Sequence, residues 1–168
     1  MFKEFNLENL ENSKELLENI LDENRKKIAD LLKIENKTYK NFVLPFQEIG
    51  ESINDFLTPI FHIDSVKNSE ITTKVYEECI PVISKYETEI SQNENIYIAL
   101  KDIQSKEKST LNNIQNKVLE NEIRDFKLSG CHLENNKKKR LEEISLRLSE
   151  LSHKFSQNLL NATNATNA

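Results

Sequence analysis

Three histidines, His62, His132 and His153, and two cysteines, Cys79 and Cys131, are the side chains of this 168-residue sequence best suited to hold a metal or attack a carbonyl. A zinc peptidase site needs His-Glu-x-x-His, which sets two imidazoles one helical turn apart with a carboxylate poised as base. Each histidine here is isolated, and His132-Leu133-Glu134 has the wrong order and spacing. Cys131 and His132 adjoin Gly130 at a helix-to-loop junction, where neighbouring side chains diverge, so a loop pair outweighs a ligand pair. A cysteine nucleophile needs a nearby base to depress its thiol pKa. Cys79 lies on an apolar stripe and reads as core; Cys131 is free to be exposed, but nothing beside it marks it as activated. Two glycines, Gly50 and Gly130, cannot build a phosphate loop. Pairs such as Glu77-Glu78 and Glu142-Glu143 are ordinary helix surface. The reading therefore assigns no catalytic, cofactor-binding or metal-ligating residue to this chain.

The sharpest charge feature is Lys-Lys-Lys-Arg at residues 137–140. It would suit an acidic peptide, an anionic membrane or RNA. Cations are slightly unfavourable at a helix N-terminus, so helix stability does not account for it. A solvated first turn offset by Glu134, Glu142 and Glu143 carries more weight, because no aromatics are interleaved. The net charge of −5 argues against nucleic acid, whose phosphates need a basic face. No apolar run reaches membrane-spanning length, and MFKEFNLENL is too polar for a signal peptide. Two cysteines form no disulfide framework, which points to a reducing, cytoplasmic setting. The sequons at Asn36, Asn161 and Asn164 are then not expected to carry glycans.

The elements that must position these residues read as helices throughout. Two glycines and three prolines are too few turn formers for an all-β fold, and Leu, Ile, Glu, Lys and Asn dominate. The expected fold is all-α: about six helices in an antiparallel array, with heptad-like seams and no sheet. Leu7, Leu10, Leu17, Leu21, Ile28 and Leu31 mark a first helix ending near Asn36. Thr38 is its successor's N-cap, and Phe42, Phe46, Ile49, Ile53 and Phe56 its seam. Pro45 kinks that helix or marks its true first turn, and Thr58-Pro59 stops it. Residues 59–70 read as a structured connection. Ser69 caps a third helix through Ile71, Val75, Cys79, Val82, Tyr86 and Ile90, bent at Pro81.

A short helix follows around Ile96, Tyr97, Leu100 and Ile103, then a polar break at 104–109. A fifth helix uses Leu111, Ile114, Val118 and Phe126, widened by Leu119 and Ile123, and Gly130 ends it in a left-handed conformation. The last helix has the cleanest pattern: Leu141, Ile144, Leu148, Leu151, Phe155 and Leu159, flanked by Leu146 and Leu160. Such side chains must pack on something, some of them on a partner outside this sequence.

Several consecutive stretches carry a resemblance. DENRKKIADLL (residues 22–32), TYKNFVLPFQEI (38–49), PIFHIDSVKNSEI (59–71), YEECIPVISKYETEISQNENIY (76–97) and RDFKLSGCHLENNKKKRLEEISLRLSELSHKFSQNLLNATNA (124–165) resemble, in order, the N-terminal region of the thimet oligopeptidase and oligopeptidase A family of zinc metallopeptidases. The bacterial oligopeptidase A branch is the more similar. Tyr39 stands for the family's Trp, Phe46 for its Leu, and Glu134 for a Pro that would help start the last helix. The family's His-Glu-x-x-His motif and downstream Glu ligand belong to a later region, and no position here matches them.

The resemblance implies a parent enzyme that holds zinc and hydrolyses short peptides in the cytosol. This chain would form one wall of a deep channel facing the catalytic half. It would gate substrate entry without carrying the chemistry, and as an isolated chain it would self-associate. Family members show Ala-Thr-Asn-Ala once and continue, whereas Thr-Asn-Ala repeats here. Residues 1–165 are thus expected to be the N-terminal helical domain and 166–168 an added tail. The rival reading is a free-standing helical module that binds peptides or a protein without turnover.

Overall fold

A computed structural model describes residues 7–166. Its regular structure is a 3-10 turn (Leu7–Asn12), α1 (Ser13–Lys33), a π turn (Tyr39–Val43), α2 (Leu44–Val66), α3 (Glu70–Ser91), α4 (Glu94–Glu107), α5 (Asn113–Leu128) and α6 (Asn135–Thr166). The all-α expectation with six helices holds among these residues. The last helix runs to Thr166, one residue into the segment expected to be a tail.

The starts of α2, α3, α4 and α5 have local chemical causes. The Thr38 hydroxyl accepts from the Asn41 amide while Asn41 Oδ1 accepts from the Thr38 amide, a reciprocal capping box. Ser69 with Thr72 and Asn112 with Gln115 repeat the device for α3 and α5, and Asn93 Oδ1 caps α4. Pro45 sits in the first turn of α2, where a missing N–H costs nothing. After α5, Gly130 takes φ 79°, the left-handed geometry expected of it.

Four features depart from expectation. The first helix begins at Ser13 and ends at Lys33, with a tighter 3-10 turn before it. The short fourth helix extends to Glu107, into the expected break. In α5 the buried face is Leu119 and Phe126, while Ile114 is 75% exposed. Largest of all, Thr58-Pro59 does not stop α2, which continues to Val66 and shrinks the expected connection to residues 67–69. Proline within a helix costs about 3 kcal/mol or more. Its lost partner is the carbonyl of Asp55, an exposed residue that water can reach. Leu57, Ile60 and Asp64 are buried on either side and hold the helix together. Likewise α3 runs on across Pro81 between buried Cys79, Ile80 and Ile83.

Two apolar cores result. One gathers Leu17 and Leu21 of α1, Ile53, Leu57 and Ile60 of α2, and Val75, Cys79 and Ile83 of α3. The other joins Ile28, Phe42, Val43 and Ile49 to Ile96, Leu100 and Ile103 of α4, Leu119 and Phe126 of α5, and Cys131. Burying each large aliphatic side chain contributes about 1.5–3 kcal/mol before entropy is counted. Asn24, 1% exposed, sits among these residues and donates to Ile49 O at 3.3 Å and Ser52 Oγ at 3.1 Å, which locks α1 to α2 in register. Arg25 reaches Glu89 of α3 at 2.8 Å while lying 5.1 Å over the Tyr86 ring.

Gly130 offers a sharp check. A Cβ there would lie 2.6 Å from Leu133 Cδ1 and 2.9 Å from Leu141 Cδ2, on a backbone that L-residues avoid. Gly130→Ala is expected to lower unfolding free energy by about 1–3 kcal/mol in urea denaturation, whereas an exposed Ala substitution at Asn136 should change it by less than about 0.5 kcal/mol.

Candidate functional site

The helix with the cleanest apolar period is mounted inside out. Ile144, Leu148, Leu151, Phe155 and Leu159 of α6 are 47%, 63%, 45%, 71% and 59% exposed. Its other side lies on α3 and is largely polar: Ser145 and Ser149 are half-buried beside Leu146, and His153 is buried. The His153 ring stacks on Tyr76 at 4.1 Å, and Tyr76 packs on Phe61 at 4.3 Å. One turn further, Gln157 Nε2 donates to Asp64 Oδ2 at 2.9 Å. Buried Asp64 also accepts from Asn68 Nδ2 at 2.9 Å and Thr73 Oγ1 at 3.0 Å. From Ile144 to Leu159 the expected apolar seam of α6 therefore faces outward among the described residues, while Leu141 at its start is half-buried beside Gly130. At 32 residues and 1.5 Å each, α6 carries that seam along a helix about 48 Å long.

Beside α6 runs a groove over α2 and α3. Cavities of about 420, 460 and 520 Å³ follow one another along it, and Asn54 lines all three. His153, Ser149 and Leu148 of α6 border one end; Glu122 and Phe126 of α5 border the other. Glu87 of α3 and Glu122 of α5 both line the 520 Å³ cavity. Burial pushes the Glu87 carboxyl above the ordinary carboxylate range, although solvent reaches it along the groove. Burial does the same to Glu122, opposed by a hydrogen bond from Gln47 and reinforced by the Asp125 charge.

The residues singled out for chemistry are not brought together. His62 on α2 and His132 in the α5–α6 loop are exposed, while His153 is buried under Tyr76. Cys79 and Cys131 are both fully buried, which corrects the expectation that Cys131 is free to be exposed. Its amide bonds the Phe126 carbonyl at 3.3 Å as the chain folds back over Gly130, which turns the thiol into the second core. Burial raises the Cys79 thiol to about 11 and raises Cys131 as well, the opposite of what a nucleophile needs. Among the described residues no three His, Cys, Asp or Glu side chains gather as a metal set, so the donors present do not fit a zinc ion. In the basic run, Lys138 pairs with Glu94 at the start of α4, Lys137 with Glu134 at 3.8 Å and Arg140 with Glu143 at 2.8 Å. That run ties α6 to α4 and solvates its first turn.

The sequence of this helical scaffold is similar to a known family. Residues 17–138 match the family described as neurolysin/thimet oligopeptidase, N-terminal domain. Oligopeptidase A of Haemophilus influenzae is 39% identical over 150 residues, covering 88% of this chain and 22% of that protein. Oligopeptidase A of Escherichia coli K12 is 39% identical over 127 residues, covering 75% and 19%. A probable cytosolic oligopeptidase A of Arabidopsis thaliana is 29% identical over 145 residues, covering 86% and 21%. The chain belongs to the thimet oligopeptidase/oligopeptidase A family.

It spans about a fifth of the length of the curated relatives it matches. The seam on α6 was legible as a period, but its outward facing was not. Asp64, Glu87 and Glu122 went unremarked because single acidic residues on helices carry no sequence signal. Gly50 did carry one, since glycine inside a helical pattern marks a special environment.

Two outcomes follow. Phe155→Asp on the exposed seam is expected to leave thermal stability within about 0.5 kcal/mol of the parent while lowering self-association in analytical ultracentrifugation; Leu119→Ala in the core should cost about 2–5 kcal/mol. The raised Glu122 carboxyl binds its proton more tightly when folded than unfolded, so its contribution is favourable in acid and is lost as pH rises through the folded pKa. Glu122→Gln should therefore raise the melting temperature at neutral pH, with the gain shrinking toward zero in acid where both carboxyls are protonated.

Proposed function

We propose that this chain is the N-terminal helical, channel-wall part of a cytosolic zinc metalloendopeptidase that degrades short peptides. It gates access to a catalytic half supplied by another part of the parent protein, with residues 1–165 as the helical domain. The observation that carries this reading is the uncovered α6 seam, in a chain that spans about a fifth of its relatives. A continuous apolar stripe of five large exposed side chains along one helix is the kind of patch that marks an interface. The seam is covered in the parent by the catalytic half. The groove over α2 and α3 then lies beside that junction. Gating is steric: rigid helices exclude folded chains and admit short flexible ones.

Zinc, in the parent, would polarise the scissile carbonyl and activate water. The donors of this chain do not fit the ion, so no step of that chemistry is assigned to its residues.

The test is complementation. The 168-residue chain is mixed with the part of Escherichia coli oligopeptidase A that lies beyond the matched region, and a quenched fluorescent peptide is added. Hydrolysis is expected only in the mixture, lost on chelation, and reduced about tenfold or more by Leu148→Asp or Phe155→Asp, which place a charge in an apolar interface. Zinc-dependent hydrolysis by the chain alone would overturn the reading.

A further inference from the structure

Gly50 lies inside α2, where glycine is the least favourable residue short of proline. A Cβ added there would meet nothing within 4 Å, so no packing within this chain demands the glycine. The bare backbone opens onto the groove, in both the 460 and the 520 Å³ cavities. Around it the floor and walls are apolar: Phe46 and Ile53 of α2, Ile83 and Ile90 of α3, and Phe126 of α5. Glu87 and Glu122 flank that floor, and neither carboxylate has a Lys, Arg or His within 4.0 Å among the described residues. Asp125 on the same wall is already taken by Arg124 at 2.9 Å. Space above a helix-interior glycine and two carboxylates without a cationic partner, Glu122 held only by a hydrogen bond from Gln47, are independent observations, and both ask for the same thing. The missing component is slim enough to approach a backbone, apolar along its length and cationic at one point.

We propose that this groove binds a short peptide bearing a lysine or arginine, its backbone crossing α2 at Gly50 and its cation held between Glu87 and Glu122. An extended peptide presents narrow backbone to the glycine and aliphatic side chains to Ile53, Ile83 and Ile90. A lysine stem adds four methylenes to that contact before reaching the carboxylates, and an arginine fork offers them paired N–H donors. The burial that raises both carboxyls is the cost such a cation would relieve. The choice of a peptide as ligand rests on the channel-wall reading; the shape and charge of the groove do not.

The experiment uses a fluorescein-labelled, end-blocked hexapeptide of alanine and leucine with one central lysine, and its counterpart with glutamate. Anisotropy is followed as the 168-residue chain is added at low salt. The lysine peptide is expected to bind about tenfold or more tightly than the glutamate peptide. Glu122→Gln and Glu87→Gln should each narrow that ratio. Gly50→Leu should abolish binding by filling the groove, while its melting temperature stays at or above that of the parent because leucine favours the helix. Equal binding of the two peptides, no binding of either, or undiminished binding by a folded Gly50→Leu chain would overturn the proposal. If Gly50→Leu fails to fold, the two glutamine variants decide. The channel-wall reading is judged separately: complementation without peptide binding removes the groove and keeps the wall, with the parent's own catalytic half as the cover over Gly50. Peptide binding without complementation does the reverse.

Discussion

The buried carboxylate of Asp64 is the contact on which the arrangement of α6 depends. Three side-chain donors converge on it, from Asn68, Thr73 and Gln157, and they come from the α2–α3 connection, the start of α3 and the far half of α6. A carboxylate that is 3% exposed is tolerable only with such partners, because an unmet charge in that position costs several kcal/mol. Satisfying it fixes which side of α6 faces α3. The stack of His153 on Tyr76 continues the same polar and aromatic attachment one turn earlier. The seam of Ile144, Leu148, Leu151, Phe155 and Leu159 is left facing outward as a consequence.

The rest of the molecule is organised to hold that junction in place. Asn24 and Arg25, adjacent on α1, tie this helix to α2 and α3 respectively, one through buried hydrogen bonds and one through an ion pair on a tyrosine face. The core between α1, α2 and α3 supports the Asp64 end. The second core, around Phe42, Leu100 and Leu119, supports α4 and α5. Ile90 packs against both. The groove runs over α2 and α3 with α5 and α6 at its ends, so its shape is a by-product of how two cores share one pair of helices.

Membership of the oligopeptidase family gives this arrangement its meaning. The family match covers residues 17–138, and α6 lies almost wholly beyond it, yet the Haemophilus influenzae relative aligns over 88% of the chain. The long helix α6 turns its apolar side outward, which supports the proposed reading of this chain as one face of something larger. The polar attachment to α3 is made within this chain, and the apolar outer seam is the surface that the proposed partner would cover.

Helix number and the starts at Thr38 and Ser69 were readable from the sequence because they rest on local chemistry, and the family was readable from the resemblance of consecutive stretches. Thr38, Ser69 and Gly130 act on amides a few residues away, and apolar periods of three and four follow from 3.6 residues per turn. Other features were decided only in three dimensions. Pro59 reads locally as a stop, and burial of Leu57 and Ile60 on either side carries α2 through it. Cys131 reads as a loop residue, and the return of the chain over Gly130 seals it in the core. The seam of α6 reads as a stripe that must be covered, but the period of a helix gives the stripe and not its direction. That direction was set by Asp64, a residue ninety-three positions from its partner Gln157, through a buried charge that had to be met.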